Sequence, residues 1–156
     1  MDRSKRCACR MEEIARYRNR LSGPLLDRID IHLELPILGF GELSTEVKGE
    51  SSAQIRDRVE SARKVQLARF QGLPGVFCNA HMTAHQIETF CKLQASPQNL
   101  LRAAVDHLRL SARAYDRILK VGRTIADFAK NPDIREEHLA EAIHYRSLDR
   151  QLDPFA

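Results

Sequence analysis

The sequence predicts a mainly α-helical protein: a helical bundle preceded by one short N-terminal helix and one β-strand. Three observations carry that reading. Helix-start signals recur from Ser51 onward, residues 112–130 hold an apolar stripe at helical spacing, and residues 29–35 alternate apolar and polar as a half-buried strand does. Composition agrees, because charged residues are 29%, aromatics 6% and Trp is absent, which suits a solvated helical protein better than an aromatic-cored sandwich.

Residues 1–10 are basic and polar without periodicity and read as a loose arm. Met11, Ile14, Tyr17 and Leu21 then recur at helical spacing, with Arg16, Arg18 and Arg20 between them. Ser22-Gly23-Pro24 ends that helix, since glycine resists helix entropically and proline lacks an amide. Leu25 and Leu26 pin a short turn, and Arg28 sits between this turn and the mouth of the strand. In the strand, Ile29, Ile31, Leu33 and Leu35 are apolar, Asp30, His32 and Glu34 polar, and Pro36 ends it. Gly39, Gly41, Ser44, Thr45 and Gly49 mark a connector. The chain therefore divides into residues 1–36, a connector over 37–50, and a helical domain over 51–150.

In the helical domain, Ser51 with Gln54 and Thr83 with Gln86 have capping-box spacing, and Ser96-Pro97 reads as an N-cap followed by proline at the first helical position. The first helix, about 53–70, carries Ile55, Val59, Ala62 and Val65 on one side and stops before Gly72-Leu73-Pro74-Gly75. Helices over 83–93 and 97–110 follow. The fourth, about 112–130, has the clearest stripe: Tyr115, Ile118, Leu119, Gly122, Ile125, Ala126 and Ala129, with Gly122 suited to a close helix crossing. Asn131-Pro132 ends it, and Asp133 opens a last helix near 135–146 with Glu136 and Glu137 in its first turn.

A formal charge of +4 and a pI near 9.0 permit contact with nucleic acid or phosphates without requiring it. No apolar run reaches the length of a membrane span and no signal peptide is evident, so a cytoplasmic protein without a membrane partner is expected. Four scattered cysteines read as reduced thiols. Cys7-x-Cys9 lacks a second ligand pair nearby, and His81 with His85 has the i, i+4 spacing of a zinc half-site but no third ligand, so no metal site is assigned. His32, His107, His138 and His144 have no nucleophile or acid at catalytic spacing. Arg56, Arg63 and Lys64 are mixed with Asp57 and Glu60, as on a solvated helix face.

The phosphate-cradling pattern Gly-x-x-x-x-Gly-Lys-Ser/Thr occurs nowhere in the sequence, and neither does an apolar strand ending in paired magnesium-holding acids. ATP hydrolysis by this chain alone is not expected.

The stretch Tyr17-Arg18-Asn19-Arg20-Leu21-Ser22-Gly23-Pro24-Leu25-Leu26-Asp27-Arg28-Ile29-Asp30-Ile31-His32 resembles the segment that closes the AAA+ core in magnesium-chelatase-like ATPases of the ComM/YifB type. Residues 108–150, with Ser111-Ala112-Arg113-Ala114-Tyr115 and Ile134-Arg135-Glu136-Glu137-His138-Leu139, resemble their helical C-terminal lid. The resemblance implies that Arg28 is an arginine finger acting in trans on a neighbouring subunit's nucleotide, and that Arg113 is the sensor-2 residue touching nucleotide phosphate. From pattern alone, Arg28 reads as a surface arginine paired with Asp27 or Asp30, Arg18 and Arg20 are lower-ranked alternative fingers, and Arg113 belongs to a solvated basic face with Arg117 and Lys120. The resemblance further implies ATP and Mg in the intact parent, none bound by this chain alone. The implied partners are the AAA+ core, neighbouring subunits of a hexameric ring, and DNA, with branch migration in natural transformation as the precedent. Without other core strands, residues 29–35 are expected to be disordered, paired with another chain, or packed on the lid. The alternative is a free-standing helical interaction module that binds nucleic acid or a partner ATPase.

Overall fold

The computed structural model describes residues 9–18, 20–21, 23–33, 35, 38–43 and 49–146. Residues 1–8 of the expected arm, with Cys7, and Asn19, Ser22, Glu34, Pro36, Ile37, residues 44–48 and residues 147–156 lie outside them. The elements are α1 (Met11–Arg18), the single turns α2 (Gly23–Leu26) and α3 (Phe40–Leu43), α4 (Ser52–Arg69), a 3-10 turn (Asn79–His81), α5 (Ala84–Phe90), α6 (Ala95–Leu108), α7 (Ala112–Phe128) and α8 (Glu136–His144).

Local chemistry sets most of these boundaries. Ser51 and Thr83 both form complete capping boxes, taking the Gln54 and Gln86 amides on their hydroxyls while each glutamine accepts from the cap's own amide. Ser111 caps α7 by accepting from the Ala114 amide at 3.1 Å. Arg135 caps α8, and its amide donates to Nδ1 of the buried His138 at 3.1 Å. Gly72 and Gly75 take the positive φ values of 85° and 77° that turn the chain after α4. The Ser96 expectation is corrected: Gln94 is the N-cap of α6, and the Ser96 hydroxyl donates instead to the Glu136 carboxylate. Pro97 still costs no hydrogen bond, because its position remains in the first turn.

α7 is the central element and packs against α4, α5, α8 and the 3-10 turn, while α6 packs on α8. The core joins Ile118, Leu119 and Ala126 of α7 to Leu139 and Ala142 of α8, with Ile87, Leu101, Phe70, Met82 and Ile134 around them. Gly122 lies at the α7/α8 crossing, where a Cβ would meet Leu139 at 3.4 Å and Ala142 at 3.8 Å. The buried face of α7 is turned from the expected stripe. Tyr115 and Ala129 are exposed, and Ala114, Arg123 and Asp127 are buried instead. The cause is polar: Asp127 accepts from Arg69, Asn79 Nδ2 at 2.8 Å and Arg123 Nε at 3.1 Å, so a satisfied ionic cluster takes the place of apolar packing.

α4 departs further from expectation. Residues 51–60 are all exposed, including Ile55 and Val59, and Val65 is exposed too; the helix touches the bundle through Ala62, Gln66 and Arg69. α1 likewise leaves Met11 and Tyr17 exposed, with the Arg20 guanidinium 5.9 Å from the Tyr17 ring centroid.

The expected strand is also corrected: residues 29–33 form no strand, and the chain bends at Asp30. Their alternation is real, and its orientation explains the outcome. His32 is buried against the bundle while Ile29, Ile31 and Leu33 are 41%, 46% and 63% exposed. The apolar side finds no sheet to cover it and stays largely exposed, with Ile31 and Leu33 bordering an open cavity against α7 and α8, while the Ile29 carbonyl and the His32 amide pair with Arg146 and Tyr145 instead of a neighbouring strand. Of the three fates expected for this segment, it takes packing against the helices.

Candidate functional site

Arg28 is placed by a self-bonded turn. Its amide donates to the Leu25 carbonyl at 3.0 Å, and the Ile29 amide donates to the Leu26 carbonyl at 2.9 Å. Leu26 is buried and anchors the turn, while the Arg28 side chain is exposed. The following residues then dock on the helices at three places. Arg146, just past α8 and 1% exposed, donates from Nη1 to the Ile29 carbonyl at 2.8 Å. The His32 amide donates to the Tyr145 carbonyl at 2.7 Å. Asp30 pairs with Arg117 of α7.

The two aspartates considered as pattern-level partners of Arg28 thus have other cations beside them: Arg117 on Asp30, and Arg146 at 3.8 Å from Asp27. Between residues 30–33 and the faces of α7 and α8 lies a cavity of about 440 Å³, bordered by Ile31, Leu33, Val121, Phe128 and Tyr145. The docked segment is held by polar contacts at its edges more than by apolar filling. Tyr145 donates to Glu141 at 2.9 Å, and that hydrogen bond, with some burial, holds its phenol above the ordinary value of 10.0.

Arg113 is exposed in the first turn of α7. It stands four residues before Arg117, hence one turn away on the same helix face. The structure therefore sets the Arg28 turn and the Arg113 helix on one body, joined through Asp30 and Arg117. Lys120, next on that face, donates to the Ala80 carbonyl at 3.0 Å. The Arg18 side chain lies outside the described residues.

The histidine pair is used locally: His81 Nδ1 accepts from the Phe77 amide at 3.4 Å, and His85 lies 3.9 Å from Glu88. Among the described residues, no three His, Cys, Asp or Glu side chains gather as a metal site. No helix among them is long and apolar enough to cross a membrane. Arg146 escaped the sequence reading because nothing in its neighbourhood marks it. Arg123 and Asp127 carried a signal, an i, i+4 ion pair beside an apolar stripe.

The described residues thus form a helical bundle with an arginine-bearing turn docked beside its central helix. The family model for the C-terminal part of magnesium chelatase subunit ChlI matches residues 49–146, and the model for magnesium chelatase subunit ChlI matches residues 1–43. The chain belongs to this magnesium chelatase family, as a protein of the ComM/YifB type. It is 46% identical over 145 residues to the uncharacterized protein YifB of Escherichia coli, covering 92% of this chain and 28% of the relative. Against competence protein ComM of Haemophilus influenzae the identity is 45% over 142 residues, covering 90% and 27%. An uncharacterized protein of Mycobacterium tuberculosis is 33% identical over 140 residues, covering 90% and 27%. The chain spans a little over a quarter of the length of these relatives.

Proposed function

We propose that this chain acts as the lid and arginine-finger portion of a ring-forming ATPase. Arg28 enters the nucleotide site of a neighbouring subunit and stabilises charge developing on the transferred phosphate. Arg113, at the head of α7, touches nucleotide phosphate from the lid. ATP and Mg are held by a P-loop core whose motif this sequence does not contain, so the chain alone turns over no ATP. The working assembly is a cytoplasmic ring, a hexamer, acting on DNA, and similarity to competence protein ComM favours a branch-migration role in natural transformation.

The observation that carries this reading is the docked turn. Arg28 is exposed at the edge of a bundle whose Arg146 hydrogen-bonds the Ile29 carbonyl after it and lies 3.8 Å from the Asp27 carboxylate before it, while the apolar side chains of Ile29, Ile31 and Leu33 stay largely uncovered. The test is to mix the chain with a P-loop core fragment of the same family and follow ATP turnover. Restored turnover is expected, with Arg28→Ala lowering kcat by about 10³ or more and Arg113→Ala raising KM. A mixture that associates yet stays inactive would sink the reading.

A second reading, a free-standing helical interaction module, draws on the exposed first half of α4 and on exposed Arg56, Arg63 and Lys64. It requires salt-dependent DNA binding by the chain alone, lost when those three cations are neutralised.

A further inference from the structure

The geometry points to Arg146 as the positioning residue for Arg28, coupling the finger to the lid; the inference rests on the finger reading of Arg28. The Arg146 guanidinium donates to the Ile29 carbonyl at 2.8 Å and lies 3.8 Å from the Asp27 carboxylate. These are the residues immediately after and before Arg28. One side chain therefore hydrogen-bonds the backbone on one side of the finger and sets its charge within ion-pair distance of the carboxylate on the other.

Among the described residues, the backbone hydrogen bonds within the turn run between Leu25, Leu26, Arg28 and Ile29 and fix its shape. Place is set by tertiary contacts. Asp30 with Arg117 is the more exposed of these, with side chains 49% and 25% accessible, and exposed pairs are screened and weak. Arg146 is 1% exposed, and a guanidinium held that deeply is costly unless its partners stay in place. Only the planar fork of arginine reaches a carbonyl and a carboxylate together; a lysine ammonium at this position would serve one of them.

The coupling runs through packed elements. Arg146 follows α8, α8 crosses α7 at Gly122, and α7 carries Arg113 in its first turn. A rotation of the lid on nucleotide contact at Arg113 thus carries Arg28 with it. Finger placement in the neighbouring site then depends on the nucleotide state of the finger's own subunit.

Hydrogen exchange on the chain itself tests the clasp. Arg146→Ala should speed exchange of the His32 amide at least tenfold while Ile118 to Ala126 of α7 stay protected. Asp27→Ala should act in the same direction more weakly. Because Arg146→Ala removes a buried group, Asp27→Ala, on a half-buried residue outside the bundle, decides the matter if α7 also loosens. Unchanged His32 exchange in Asp27→Ala, with Arg146→Ala either equally silent or loosening α7, overturns the proposal.

Turnover with the P-loop fragment tests the coupling. Asp27→Ala should lower kcat with KM for ATP unchanged, and Arg146→Ala should add no further loss to Arg28→Ala. A further loss in that background would mean general damage to the lid and would overturn the positioning role. If Arg28→Ala is itself silent, the finger reading falls, and the exchange result alone decides whether Arg146 holds the turn.

Discussion

Arg69 and Asp127 meet across 58 residues of sequence, with two guanidinium nitrogens on two carboxylate oxygens. Asp127 also accepts from Arg123, whose remaining nitrogens donate to the Pro132 carbonyl at 2.7 Å and the Asn131 carbonyl at 2.5 Å. Asn79 bridges the pair, accepting from Arg69 at 2.9 Å and donating to Asp127 at 2.8 Å. One buried carboxylate thereby joins the end of α4, the 3-10 turn and the C-terminal end of α7.

Asp127→Ala should be among the most destabilising single changes in the chain. It leaves Arg69 and Arg123 without their shared anion, and removing one partner of a buried ion cluster typically costs about 3–5 kcal/mol. Urea unfolding followed by circular dichroism checks this. A loss below about 1 kcal/mol would mean the cluster contributes little.

Gly122 should tolerate alanine and reject leucine. A Cβ there reaches ordinary contact with Leu139 at 3.4 Å, and alanine gains about 0.8–1.0 kcal/mol of helix propensity over glycine. Gly122→Ala is therefore expected to be neutral or stabilising in thermal unfolding. Gly122→Leu forces α7 and α8 apart and should cost about 1–3 kcal/mol.

Cys91 should resist alkylation where Cys9 reacts. Burial pushes the Cys91 thiol up from 9.0 to about 11, whereas Cys9 is exposed. At pH 8 iodoacetamide should label Cys9 quickly and Cys91 only on unfolding. The same shift sets a direction for stability. Between about pH 9 and 11 the unfolded chain releases this proton while the folded chain keeps it, so Cys91 lowers stability as pH rises through that window. Cys91→Ala should flatten the alkaline fall; an unchanged slope would assign it to other groups.

The sequence made helices legible wherever a boundary was written in side chains at fixed offsets, as at Ser51 with Gln54, Thr83 with Gln86, and Gly72 with Gly75. It misled where a tertiary partner decides. The alternation of residues 29–35 is that of a strand, but a strand needs a neighbour, and here the neighbour is the end of α8. Ile55 and Val59 have the spacing of a buried face and are exposed, because spacing reports a face without reporting what covers it. Arg109 and Lys130 take positive φ values of 48° and 55° at the ends of α6 and α7, positions where glycine would have announced the stop. Arg28 and Arg113 were legible as exposed cations at element ends. What holds Arg28 was not, since Arg146 comes from 117 residues beyond Ile29 and no local pattern links them.

The projecting half of α4 has a mechanical consequence. Residues 51–60 stand clear of the bundle, an arm of about 15 Å at about 1.5 Å per residue. Glu50, at its tip, pairs back onto Arg58 at 2.8 Å, so the chain enters the helical domain at the far end of a stiff rod. Any pull from that side arrives as torque. It is resisted at the fulcrum formed by Ala62, Gln66 and Arg69, the same place where the buried carboxylate of Asp127 pins the rod.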